Sequence, residues 1–164
     1  MVDFGLFRGI VTSINEFFTG VNAEDEGCFK LITVEDGSGG VVHFVVAPNT
    51  YFVDQAVVEI GDRITGYYDR NAPVPFIYPP QYRALVMVKE IPAQNVKVDF
   101  FNSQLLSSDG MLQLNLTPYT LIMLTNGQPF TGNPTNRNLI VIYGPSTRSI
   151  PAQTAPYRII VWCS

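Results

Sequence analysis

Tyr67, Tyr68, Tyr78, Tyr82 and Arg83, with Tyr143, Arg148, Tyr157 and Arg158 further on, are the side chains of this 164-residue sequence best suited to touching a ligand. Aromatic faces stack on bases or sugar rings, and arginine adds hydrogen bonds to phosphate or carboxylate. The same residues also suit a purely structural role, lining a seam between two β units while tyrosine hydroxyls tie down proline loops. Their recurrence at a fixed spacing favours the structural role, because internal symmetry is first a matter of packing.

A catalytic reading finds little to work with. His43 is the single histidine and sits mid-strand. Alternation sets it with Val41 and Val45, opposite Val42, Phe44 and Val46, which fits a packed or rim position better than a general base. With no carboxylate convincingly paired to it, a Ser-His-Asp arrangement is not expected. The turn Asp36-Gly37-Ser38-Gly39-Gly40 has the letters of a serine-protease nucleophile loop in the wrong order, and no G-x-S-x-G elbow occurs. Glu24-Asp25-Glu26 lacks the alternating ligand spacing of a calcium loop. Two cysteines cannot supply the usual paired zinc spacing. Neither phosphate-binding glycine motif is present. Asn115-Leu116-Thr117 is a formal glycosylation acceptor inside a predicted strand. No cofactor or metal is expected.

The elements that carry these residues look duplicated. Tyr68 and Tyr143 lie 75 residues apart, as do Tyr82-Arg83 and Tyr157-Arg158. Ile77-Tyr78-Pro79-Pro80-Gln81 is echoed by Ile150-Pro151-Ala152-Gln153. Ala47-Pro48-Asn49-Thr50 pairs with Thr117-Pro118-Tyr119-Thr120 at a spacing of 70, and the five-residue difference fits an extra loop around 128–133. Strands are predicted at 7–14, 28–34, 41–46, 63–68 and 82–91, with a short one at 50–53. The second half follows with strands at 96–101, 111–116, 119–124, 139–143 and 157–162. Residues 35–40 form the clearest hairpin turn. The crossing 69–80 holds four prolines and cannot be a central strand. Ser13-x-x-Glu16 matches a helix capping box, but Phe17-Phe18-Thr19-Gly20 leaves no room for a helix, so a strand end is expected there. Apolar residues nowhere hold a 3.6 period over three turns, so helix content should be low.

Composition agrees. Charged residues make up 15% of the chain, against a usual quarter, and 13 Gly with 12 Pro suit short strands and many turns. Residues 1–94 carry twelve acids and six bases, a net −6; residues 95–164 carry two acids and four bases, a net +2. The halves therefore attract weakly, and each is small enough that mutual packing is expected. The overall charge of −4 argues against non-specific phosphate binding, which depends on Lys and Arg displacing counterions. No run approaches the ~20 apolar residues of a membrane span. Met1-Val2-Asp3-Phe4-Gly5 lacks signal-peptide character, so a soluble, cytoplasmic protein is the default expectation, although an exported chain stripped of its leader would read the same. Cys28 and Cys163 either join the halves as a disulfide in an exported protein or stand as two unrelated thiols.

Five short strands, a glycine-bearing first strand and a Gly-Asp turn before the fourth indicate an all-β chain of two tandem small barrels of the oligonucleotide/oligosaccharide-binding (OB) type. The first would span 1–92 and the second, a degenerate copy, 96–164. The helix usual between the third and fourth strands is absent from the pattern. Gly61-Asp62-x-x-Thr65-Gly66-Tyr67-Tyr68-Asp69 with Ile77-Tyr78-Pro79-Pro80-Gln81-Tyr82, followed by Ser146-Thr147-Arg148-Ser149-Ile150-Pro151-Ala152-Gln153-Thr154, resembles an uncharacterised two-repeat β segment of Gram-positive anaerobes. In some similar chains that segment adjoins a domain related to the N-terminal domain of copper amine oxidases. The resemblance implies an envelope or exported setting but no activity, and nothing in this sequence supplies the several histidines of a copper site.

Two functions follow as expectations. The first is a non-enzymatic binding or structural module within a larger cell-surface or assembly protein, its partner either another protein or that larger parent assembly. The second is single-stranded nucleic-acid or oligosaccharide binding through the Tyr/Arg set.

Overall fold

A computed structural model describes residues 2–20 and 22–163. The protein is all-β, and helix among the described residues is limited to single 3-10 turns at Ala23–Asp25 and Val53–Gln55. No helix is long and apolar enough to cross a membrane. The chain divides into two compact units, Met1–Glu90 and Ile91–Ser164.

Unit 1 contains β1 (Phe4–Glu16), β2 (Lys30–Glu35), β3 (Val41–Val46), β4 (Tyr51–Phe52), β5 (Arg63–Asp69), β6 (Gln81–Arg83) and β7 (Val86–Lys89). They hydrogen-bond in the order β4-β7-β5-β1-β2-β3-β6, antiparallel except at β4/β7 and β3/β6. The first strand is longer than its sequence pattern suggests, and it changes partner along its length. Residues 4–10 pair with β5 and residues 10–16 with β2. Gly9 makes this change possible: a Cβ there would stand 2.3 Å from the Glu35 carbonyl oxygen. The strand predicted at 82–91 is in fact two pieces around Ala84-Leu85. The Ala84 amide donates to Val45 of β3 at 3.0 Å, and the Leu85 amide donates to Tyr67 of β5 at 2.8 Å. One run of chain thus joins both flanks of the sheet. Alternation on β3 sends Val42, Phe44 and Val46 into a core shared with Val11, Ile32, Val34, Ile64 and Met87.

Unit 2 contains β8 (Asn95–Phe101), β9 (Leu112–Leu114), β10 (Leu121–Leu124), β11 (Arg137–Tyr143), β12 (Ala152–Thr154) and β13 (Arg158–Val161). Its strand order β10-β13-β11-β8 has the same directions as β4-β7-β5-β1, and β9 runs parallel to β12 as β3 does to β6. Individual bonds correspond as well. Tyr157 donates its amide to Ile142 as Leu85 does to Tyr67, and Leu121 donates to Tyr157 as Tyr51 does to Leu85. Gln113 stands opposite Gln153 as His43 stands opposite Gln81. Even the shortened start is matched by single bridges: Phe101–Ser107 for Val11–Val34, and Leu106–Gln113 for Thr33–His43. Four residues, 102–105, join Phe101 to Leu106 in unit 2, where residues 12–32 join Val11 to Thr33 in unit 1.

These bonds correct the alignment read from the sequence. Tyr82 and Arg83 lie on β6, whereas Tyr157 precedes β13 and Arg158 begins it. The hydrogen bonding matches Tyr157 with Leu85, not Tyr82, at a spacing of 72. The crossing in unit 2 is three residues shorter, so the 75-residue spacing that holds for Tyr68 and Tyr143 fails beyond it. Thr50 and Thr120, 70 residues apart, make matching pairs of side-chain bonds. Leu139–Ile142 and Ile159–Val161 are buried on both faces of their strands, which explains their unbroken apolar runs.

Candidate functional site

The crossing between β5 and β6, residues 70–80, is the part of unit 1 least explained by folding. Its prolines at 73, 75, 79 and 80 have no amide to give a ladder, so the segment stays outside the sheet. It is nevertheless fixed at both ends. The Arg70 amide donates to Asp3 at 2.8 Å and its guanidinium to the Phe4 carbonyl at 2.6 Å. The Asn71 amide donates to the Asp69 carboxylate at 3.0 Å, and Pro80 accepts the His43 amide at 2.9 Å. Between these anchors Val74, Phe76, Ile77 and Tyr78 turn outward, with Phe76 wholly exposed and Tyr78 80% exposed.

These four, with Pro75, Pro80 and Tyr82, line an open hollow of about 380 Å³. Tyr82 is its one strand residue, and that ring is held from behind. It stacks on Tyr68 with 3.8 Å between centroids and 4° between planes, and Phe44 lies 6.4 Å from each. Two glycines admit the stack: a Cβ on Gly5 would stand 2.7 Å from Tyr68, and one on Gly66 would stand 2.5 Å from Phe44. Burial, with a hydrogen bond to the Tyr82 hydroxyl, pushes the Tyr68 phenol above its ordinary value. No charged side chain lines the hollow. Such a surface can sequester an apolar side chain or a proline ring. It offers no nucleophile and no acid–base pair.

The nine predicted residues are thus only partly gathered. Tyr78 and Tyr82 line the hollow, and Tyr68 reaches it only through its stack on Tyr82. Tyr67 is 3% exposed, opposite Val86 within the sheet, and is unavailable to a ligand. Arg83 is exposed on β6 and donates to the Asn49 side chain at 3.1 Å. In unit 2, Tyr143 packs against the core, Arg148 is exposed in the crossing 144–151, and Arg158 lies in β13 between β10 and β11. The Tyr157 ring lies over Gly144, where a Cβ would meet its hydroxyl at 2.0 Å. Sequence reasoning missed Val74, Phe76 and Ile77, because it treated the prolines only as strand breakers. The usable signal was apolar residues placed between prolines that cannot enter a core strand.

His43 belongs to a different arrangement. Its Nδ1 lies 2.8 Å from the Thr33 hydroxyl, which in turn accepts from the Ser13 hydroxyl at 2.9 Å. The row ties β1, β2 and β3 across their outer face. Ser38 is likewise employed in its turn. Its amide and hydroxyl both donate to Asp36, which also accepts the Gly40 amide, and these bonds hold the Asp36 carboxyl below its ordinary range. Among the described residues no three His, Cys, Asp or Glu side chains are placed to hold a metal. Cys28 and Cys163 are exposed free thiols. Asn115 lies just beyond β9, not within a strand, and its side chain donates to Gln153 at 3.2 Å.

No protein-family model matches this chain, and no curated protein or solved structure matches it either.

Proposed function

We propose that the protein is a non-enzymatic binding module of two tandem OB-type barrels derived from one duplicated unit, and that unit 1 docks a polypeptide through the hollow of residues 74–82. The topology supports the barrel assignment. Taking 81–89 as one strand, the pairings run β1, β2, β3, then 81–89, then β5 and back to β1, with β3 and its partner parallel. The recurrence of strand directions and bonds in unit 2 supports the duplication. In OB barrels the loop between the fourth and fifth strands is one of the ligand-contacting loops, and 70–80 occupies that place.

The observation that carries the function is the apolar, uncharged lining around the fully exposed Phe76. Exposed contiguous apolar surface on a structured loop marks an interaction site, and aromatic side chains anchor protein interfaces. Nucleic acid is the poorer occupant, because a hollow without cations in a unit of net charge −6 cannot release phosphate counterions. The setting consistent with this role is a larger cell-surface or assembly protein.

The test is a calorimetric titration with three sets of compounds: short apolar peptides containing proline, single-stranded oligonucleotides, and oligosaccharides. Saturable heat with peptides, lost in Phe76→Asp, is the expected result. Saturable binding confined to oligonucleotides or oligosaccharides and unchanged in Phe76→Asp would overturn the proposal.

A further inference from the structure

Resting on that reading, we infer that the polypeptide docked in the hollow of unit 1 is the 144–151 crossing of unit 2 from a second copy of the chain. Ile150 stands near the end of that crossing, two residues before β12, and is 82% exposed. The crossing is preorganised around it. The Thr147 amide donates to Gln153 and the Gln153 amide to the Thr147 hydroxyl, each at 2.9 Å. The Ser149 hydroxyl donates to Pro151 at 2.7 Å. A branched aliphatic side chain held out on a rigid loop loses little freedom when it enters an apolar cleft. At the foot of the crossing, Tyr157 and Leu121 are joined by a backbone hydrogen bond and are both more than half exposed.

Charge decides which surfaces of two copies meet. Apposing two hollows would bring together two units of net −6, whereas hollow against crossing sets −6 against +2. Complementary charge steers and orients association, so the contact is head-to-tail. A contact of that kind does not close on itself after two copies and grows into a chain or a ring. Growth should weaken as salt screens the units from each other.

Sedimentation velocity over a range of concentration and salt, with Phe76→Ser and Ile150→Ser, tests this. The wild type is expected to pass beyond a dimer as concentration rises, and each variant to remain a monomer with unchanged circular dichroism. An equimolar mixture of the two variants is expected to double in mass and stop there, because one keeps the crossing and the other keeps the hollow. A wild type monomeric at every concentration, or Ile150→Ser associating as the wild type does, overturns the inference. The peptide titration of Phe76→Asp is unaffected by either outcome, so the docking role of the hollow stands or falls separately.

Discussion

The hydroxyl of Thr50 donates to the Ala84 carbonyl at 2.9 Å while accepting the Ala47 amide at 3.0 Å. It clips the chain entering β4 to the chain leaving β6. Seventy residues on, Thr120 makes the same pair of bonds, to Pro156 at 3.1 Å and from Thr117 at 3.2 Å. Thr50→Val and Thr120→Val each leave an amide and a carbonyl without this partner, and each should cost about 1 kcal/mol. The sites lie in different units and share no partner, so the losses should add. Urea denaturation of the two single variants and the double variant measures this.

Gly66 faces the Phe44 ring at a distance that no Cβ tolerates. Gly66→Ala should therefore destabilise unit 1 by about 1–3 kcal/mol through overpacking. Gly37→Ala in the β2–β3 turn meets open space and should stay within about 0.5 kcal/mol of wild type. Thermal melts of both variants provide the comparison.

Asp36 is expected to make the β2–β3 turn sensitive to acid. Its carboxyl is held below the ordinary value of 3.8 by the Ser38 and Gly40 amides and the Ser38 hydroxyl. A lowered folded pKa means the contribution is present above the unfolded value and lost as pH falls through the folded one. The Ser38 and Gly40 amide resonances should titrate with a midpoint below 3.8. Asp36→Ala should abolish that titration.

Tyr68 gives the opposite dependence at high pH. Its phenol is raised above 10.0, chiefly by burial, so the fold favours the neutral form. That contribution is complete below the unfolded value and is lost as pH rises through the folded one. Ultraviolet absorbance titration of Tyr68→Phe should lack one ionisation above pH 10, the ordinary phenol value.

Much of the architecture was legible because strand period and turn chemistry are local. The alternation of Val42, Phe44 and Val46 placed β3, and Gly61-Asp62 marked the turn into β5. Asn136 stands at the corresponding turn with φ 56°, where Gly61 has φ 97°, so a left-handed position recurs without the same residue. The Tyr-Arg alignment failed because shared letters do not fix hydrogen-bond register. A crossing three residues shorter shifted Tyr157 onto the position of Leu85, and only the bonds show it. The hollow was illegible for another reason. Its Tyr82 wall is backed by a stack on Tyr68 that depends on Gly5 and Gly66 from distant strands, and no local pattern reports a non-local cleft.

Docking at the hollow is tested most directly by amide NMR shifts during titration with a short apolar peptide containing proline. The expected changes fall on Val74, Phe76, Ile77, Tyr78 and Tyr82, with Leu31 and Thr33 on the outer face of β2 unmoved. Changes centred on those outer-face residues, with the crossing silent, would contradict it.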